Sequence, residues 1–147
     1  MHSLVKLALV ALLLGPPAIA ADSPIAGTWR GKLYDLPGID LTVKDDSGKL
    51  SGTILFYFLH RNTEHEAWQV DMKHSMTLSL IDPKFDGKTL TFQVSHKQAH
   101  PPRTLNDPPS SFQMRLTGEG VGELLNLTEK NSPALKMVRD APPQGSK

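Results

Sequence analysis

The strongest constraint on this chain is the alternation of its side chains from Glu66 to Leu80. Residues of one parity are apolar or histidine, while the residues between them are polar: Trp68, Val70, Met72, His74, Met76, Leu78 and Leu80 against Gln69, Asp71, Lys73, Ser75, Thr77 and Ser79. A period of two is typical of a strand with one buried face, because successive side chains of a strand point to opposite sides. The segment is therefore predicted to be a strand, not a helix.

The same alternation recurs along the chain and is separated by turn-forming residues rich in Asp, Gly, Pro and Ser. Together these patterns predict eight strands and no helix, repeat or second domain. The strands are expected at about 25–34, 38–44, 49–60, 66–80, 88–96, 110–117, 121–128 and 134–139.

Short links between consecutive strands predict an antiparallel up-and-down meander. Eight such strands with one apolar face close most naturally into a barrel, because closure removes the exposed edges. We therefore expect an all-β barrel, with a two-sheet β-sandwich as the alternative. The longest link, 97–109, contains four prolines and Arg103, and it is expected at the open end of the barrel.

The first twenty residues have the pattern of a secretory signal peptide. Lys6 precedes an apolar run from Leu7 to Leu14, and small residues lead to Ala20. The predicted organisation is a signal peptide at 1–20 cleaved after Ala20, a single barrel domain at 21–141, and a flexible tail at 142–147. The product is expected to be secreted or periplasmic.

Composition limits the partners. The chain has no cysteine and a formal charge of +1, which falls to zero without Lys6. A neutral chain without a basic stripe argues against binding to nucleic acid. The apolar run before Ala20 is too short to span a bilayer, so membrane insertion is not expected.

The parity of the first strand puts Gly27 and Trp29 on its inward face, close to the base of the barrel. If Thr128 pairs with Ala134, then Glu123 faces Arg139 across the last hairpin. We therefore predict that Arg139 lies over the Trp29 ring and is held by Glu123, so that the indole closes the base.

These features resemble the lipocalin or calycin superfamily. The resemblance rests on Gly27-Thr28-Trp29 in the first strand, the eight-stranded meander and the late Arg139. In that superfamily the tryptophan of a Gly-x-Trp motif closes the barrel and an arginine packs on it. The chain is also similar to secreted bacterial lipocalin-like proteins. The resemblance implies fold and export, but no activity.

Inward side chains define the predicted ligand-binding residues, which are Phe56, Phe58, His60, Trp68, Val70, His74, Phe92, Val94, His96, Phe112 and Met114. An apolar lining with few polar groups suits a small hydrophobic molecule. An eight-stranded barrel is also small enough for its side chains to fill it, so a fully packed interior that serves a protein-interaction module is the alternative.

The histidines give two further expectations. Pairing Leu80 with Leu90 would set His74 opposite His96 inside the barrel, where either is a candidate general base in a second alternative, an enzyme. No catalytic motif is found and an enzyme is not favoured. No third ligand accompanies the pair, so neither a metal nor a cofactor is predicted. Outward Leu55, Tyr57 and Leu59 suggest a homodimer face.

Overall fold

The structure is a computed structural model that describes residues 23–98 and 108–141. The predicted signal peptide, the tail from residue 142 and most of the 97–109 link lie outside those residues. Over the described ranges the chain is all-β, and nine antiparallel strands form one sheet, which is not the two-sheet alternative. In this part of the chain the helical structure is a single 3-10 turn at His96–Gln98, and no helix could cross a bilayer.

Eight of the nine strands lie close to the bounds predicted from the sequence. They are β1 (Gly27–Leu33), β2 (Leu36–Asp46), β3 (Lys49–His60), β4 (Gln69–Ser79), β5 (Ile81–Phe85), β6 (Thr89–Val94), β7 (Ser110–Gly118), β8 (Val121–Asn126) and β9 (Leu135–Arg139). The extra strand is β5, which lies where the sequence predicted a turn. Its alternate residues Ile81, Pro83 and Phe85 are partly buried, and Phe85 packs against the core.

The strand order is β4-β3-β2-β1-β9-β8-β7-β6-β5. A flat sheet of nine strands would separate its edges by roughly 38 Å, at about 4.8 Å between neighbours. Here the edge strands β4 and β5 are consecutive in the chain and only Leu80 lies between them. The sheet must therefore curl, because the end of β4 and the start of β5 lie on either side of Leu80. The Leu80 N–H donates to Gly52 O at 3.0 Å.

The predicted pairing of segment 66–80 with segment 88–96 is wrong. β4 pairs with β3, and β5 pairs with β6 through Phe85↔Leu90 and Ile81↔Gln93. The reason is a change of direction after Leu80, where Asp82 has a φ of 47°. After this change of direction the chain no longer pairs with β3, and its next segment, β5, pairs with β6.

The core fills the concave face of the sheet. Its buried apolar residues are Ile25, Trp29, Leu41, Val43, Ile54, Leu78, Leu90, Phe92, Val94, Phe112, Met114, Leu124 and Met137. Two glycines allow close packing in this layer. A Cβ at Gly31 would lie 2.6 Å from Leu135 Cδ2, and one at Gly52 would lie 2.0 Å from Thr42 O.

Candidate functional site

One end of the curled sheet is sealed by Trp29. The ring is fully buried, and its Nε1–H donates to Ile25 O at 2.9 Å. Arg139 Cζ lies 5.7 Å from the ring centroid, so the contact expected from the sequence is present. Gly27 has a φ of 120°, and a Cβ there would lie 3.3 Å from Arg139 Cδ. Glycine is therefore required at this position, where the arginine stem crosses the first strand.

The expected role of Glu123 is wrong. β8 and β9 pair with Glu123 opposite Lys136, whereas the sequence analysis placed it opposite Arg139. This shift is an odd number of residues, so Glu123 moves to the convex face, where it binds Arg115 at 2.8 Å. Arg139 is held instead by a backbone carbonyl, because its Nη1 donates to Pro24 O at 3.1 Å.

The middle of the concave face is crossed by three phenylalanines. Phe112 on β7 stacks on Phe92 of β6, with ring centroids 5.6 Å apart and planes 11° apart. Phe112 also meets Phe56 of β3 at 5.8 Å, although β3 and β7 are not neighbours in the sheet. The aromatic layer formed by Phe56, Phe92 and Phe112 therefore joins opposite walls. Val94 and Met114, also predicted to line the cavity, are buried with this layer.

Beyond the aromatic layer the same face opens to solvent. Phe58 follows Phe56 on the concave parity of β3, and 48% of it is exposed. Its ring centroid lies 6.4 Å from that of His60 and 5.8 Å from that of His74. His60 Nδ1 is buried and has no hydrogen-bond partner among residues 23–98 and 108–141. A buried polar atom of this kind normally has a hydrogen-bond partner, so the unpaired nitrogen of His60 is unusual.

A bulge in β4 creates this opening. Phe56 pairs with Met76, but Phe58 pairs with Asp71, so residues 72–75 lie opposite Tyr57 alone. Side chains hold the bulge. Ser75 Oγ donates to Asp71 O at 2.8 Å and accepts from Phe58 N at 3.0 Å. His74 Nδ1 lies 2.5 Å from Asp71 Oδ2, and this hydrogen bond lowers the pKa of the Asp71 carboxyl.

The bulge changes the face of several predicted ligand-binding residues. Between the bulge and the start of β4, Val70 lies opposite Leu59, so both side chains point to the convex face of the sheet. The expected inward position of Val70 is therefore wrong. His74 is exposed beside Asp71, and His96 begins the 3-10 turn after β6. Because β4 does not pair with β6, the strand register does not place these two histidines opposite each other as expected.

Trp68 does not join the concave cluster either. Its ring stacks on Tyr34 with centroids 4.8 Å apart and planes 8° apart, and Arg61 Cζ lies 4.7 Å from its centroid. Tyr34 and Asp35 form the β1–β2 turn with φ values of 52° and 62°. The Tyr34–Trp68–Arg61 stack ties this turn to the link between β3 and β4, at the rim of the opening.

Sequence reasoning did not identify Tyr34, Arg61 or Asp71 as residues of this end. Only their positions in the sequence could have indicated them. Tyr34 lies between the first two strands, and Arg61 and Trp68 flank the link between the next two. The outward residues Leu55, Tyr57 and Leu59 are each partly buried, and Tyr57 Oη donates to Asp40 Oδ2 at 2.8 Å. Burial first, and then Asp40, raises the pKa of Tyr57.

In residues 23–98 and 108–141, no three His, Cys, Asp or Glu side chains form a group that would hold a metal ion. Comparison with known proteins gives no family for the chain: no family model, curated protein or solved structure matches it.

Proposed function

We propose that this chain is a binding protein that holds a small, mostly apolar molecule at the open end of a lipocalin-like barrel. One observation carries the proposal: Phe58 is half exposed on the concave face, beside a buried His60 Nδ1 to which no described residue is hydrogen-bonded. An apolar surface next to one unsatisfied polar atom suits a ligand with an apolar body and a single polar group.

Closure of the sheet into a barrel is part of this proposal. The link through Leu80 supports it, because it joins the two edge strands with a single residue. β5 also approaches β3, and the 3-10 turn at His96–Gln98 approaches β4. Both contacts bring elements of one half of the sheet close to the other half. In this arrangement β4 and β5 would run as one strand bent at Leu80, although β5 lies beyond the predicted strand 66–80.

The depth of the proposed site is limited by the aromatic layer. Phe56, Phe92 and Phe112 meet across the interior, so a ligand would rest on their upper side and would not reach Trp29. Of the residues predicted to bind ligand, Phe58 and His60 would make direct contact, and Phe56 would form the floor. Val94 and Met114 would support that floor from the core.

Export also belongs to the proposal. The charged start, apolar run and small residues before Ala20 support a cleaved signal peptide, and a chain without cysteine needs no disulfide chemistry outside the cell. A secreted or periplasmic binding protein would meet apolar molecules in water, where a concave site reduces their exposed surface.

The proposal is tested with N-phenyl-1-naphthylamine, a neutral apolar fluorophore whose emission rises in apolar surroundings. The wild-type protein should bind it with saturation. Phe58→Asp places a charge against the apolar body of the ligand and should weaken binding by about tenfold or more. The matched control is Leu127→Asp, because Leu127 is 53% exposed and follows Asn126, which pairs with Phe112, so Leu127 takes the convex parity.

Affinity within about twofold of wild type is expected for Leu127→Asp. Equal affinity in wild type and Phe58→Asp would contradict the proposed location. Absence of saturable binding to the wild type would favour the second candidate, a non-enzymatic protein-interaction module with a packed barrel. The contact between Phe56 and Phe112 supports that candidate, and Leu55, Tyr57 and Leu59 would form its homodimer face.

A further inference from the structure

A second surface feature lies on the convex face, where β1 and β9 meet. It is a depression of about 500 Å³ lined by Arg30, Lys32, Lys136, Val138 and Asp140. These side chains belong to the parity opposite to buried Trp29 and Met137, so the depression lies on the other side of the sheet from the proposed apolar site. Three of its five lining residues are cations.

The charges in this depression are not balanced. Arg30 is neutralised, since its Nε donates to Asp140 at 2.8 Å and its Nη1 to Asp40 at 2.7 Å. These two carboxylates, with the Asp140 hydrogen bond first, raise the pKa of Arg30. In the described part of the chain, no acidic oxygen lies within ion-pair distance of Lys32 or Lys136.

The strand register brings the two lysines near each other. β1 and β9 pair as Trp29↔Arg139, Arg30↔Val138 and Gly31↔Met137, where this pairing ends. Lys32 and Lys136 are the next residues on the two strands, and both line the depression. Like charges on neighbouring strands are unfavourable when their side chains lie close together. Glu123 lies across from Lys136 on the other side, but its carboxylate binds Arg115 at 2.8 Å.

The floor of the depression is apolar. Val138 is 47% exposed, and Val121 lies opposite it on β8. Aliphatic stems of the lysines extend the apolar surface, as long cationic side chains commonly do. Two uncompensated ammonium groups beside an apolar floor are complementary to a small molecule that carries one anionic group on an apolar body.

We propose that this depression, formed by Arg30, Lys32, Lys136, Val138 and Asp140, is a second binding site that takes small amphiphilic anions. The anionic group lies between the ammonium groups of Lys32 and Lys136, and the apolar body covers Val138. This site is independent of the one beside Phe58, because it uses the opposite face of the sheet and requires charge.

Isothermal titration calorimetry with naphthalene-2-sulfonate tests the proposal. The wild-type protein should bind the sulfonate with saturation at low ionic strength, and affinity should fall as salt is added. The double variant Lys32→Gln/Lys136→Gln should bind about tenfold or more weakly. Lys44→Gln is the matched control, because Lys44 is an exposed lysine of β2 outside the depression, and it should retain wild-type affinity.

Naphthalene-2-sulfonamide, which keeps the ring system without the charge, should bind wild type at least about tenfold more weakly than the sulfonate. No saturable sulfonate binding, equal affinity in the double variant, or equal affinity for the sulfonamide would each overturn the proposal. Phe58→Asp should leave sulfonate binding unchanged; a loss in this variant would place the anion in the concave site and would also overturn the proposal.

A measurement without ligand tests the charge argument separately. Relief of the repulsion between Lys32 and Lys136 should raise the thermal unfolding midpoint of Lys32→Gln at low ionic strength, and added salt should reduce this gain. A midpoint lower than that of the wild type would overturn the like-charge argument on which the site rests.

Discussion

Each end of the curled sheet carries an aromatic side chain on the concave face, but one of these side chains is buried and the other is half exposed. At the sealed end, the Trp29 indole is fully buried, its N–H is bonded to Ile25 O, and Arg139 lies over the ring. At the open end, Phe58 is half exposed on the same concave face, and His60 Nδ1 is buried without a hydrogen-bond partner in the part of the chain that the structure describes. Among the described residues, the two ends therefore differ in one buried polar atom: the Trp29 N–H has a partner and His60 Nδ1 does not.

The difference originates in the backbone, not in composition. At the sealed end, β9 is hydrogen-bonded on both sides, since Asp140 N donates to Thr28 O at 2.8 Å and Arg139 N to Gly120 O at 2.9 Å. At the open end, the bulge over 72–75 interrupts the pairing of β4 with β3. Bulges near functional sites redirect side chains and end regular pairing. The proposed binding site therefore lies at the end where strand pairing is interrupted, and we expect the other end to contribute more to stability.

The largest effect that tests this comparison is the loss of an indole at each end. Trp29→Ala should lower the free energy of unfolding by about 3–5 kcal/mol, because it leaves a cavity in the core. Trp68→Ala removes a stack on Tyr34 and a contact with Arg61 at the rim, and should cost about 1–2 kcal/mol. Urea denaturation of the two variants measures both values.

The comparison requires the cost at Trp29 to exceed the cost at Trp68. Equal costs, or a loss below about 1 kcal/mol for Trp29→Ala, would mean that the sealed end is not the stabilising end.

The fold class and most strand bounds could be predicted from the sequence. Alternation marks a strand wherever one face is buried, and the described strands are antiparallel as expected. β5 was not predicted because Asp82, Pro83, Asp86 and Gly87 are typical of a turn. Asp86 and Gly87 do form one, with Asp86 Oδ1 accepting from Thr89 N at 2.7 Å. The three residues from Pro83 to Phe85 nevertheless extend along β6 because Phe85 packs against the core.

The register of the last hairpin was harder to predict. β8 carries apolar residues on both parities, since Val121 and Leu125 alternate with Leu124. Alternation therefore does not decide which face is buried, and an error of an odd number of residues reverses every side chain. The structure buries Leu124 and Gly122, where Gly122 makes room for Met114. Glu123 consequently faces outward.

The bulge in β4 could not be predicted from the sequence, for a different reason. The alternation from Glu66 to Leu80 continues through Met72 and His74 without a break, so the pattern predicts a regular strand. The bulge is held by hydrogen bonds of Asp71 and Ser75 to nearby backbone and side-chain groups. Such local bonds compete with regular pairing but leave no mark in hydrophobic periodicity.

A smaller effect tests the role of Asp71 in that bulge. The hydrogen bond with His74 lowers the pKa of Asp71 below its ordinary value of 3.8. A carboxyl with a lowered pKa in the folded state contributes stability above its unfolded pKa, and this contribution is lost as pH falls through the folded value. The bulge should therefore loosen only in acid, below about pH 4.

Carbon-13 NMR of the Asp71 carboxyl measures this titration. The midpoint should lie below 3.8 in the wild type and rise toward the ordinary value in His74→Gln, which lacks the ionisable ring. A midpoint that does not change in His74→Gln would show that His74 does not set the charge state of Asp71.

The most direct test of the central claim is an NMR titration with 1-octanol, which combines an apolar chain with one hydroxyl. The sealed-base and open-mouth account predicts saturable shifts of the Phe58 and His60 amide signals, with the Trp29 indole N–H signal unchanged. A saturable shift of the Trp29 indole with no change at Phe58 and His60 would contradict the account, because the ligand would then bind at the end that the structure seals.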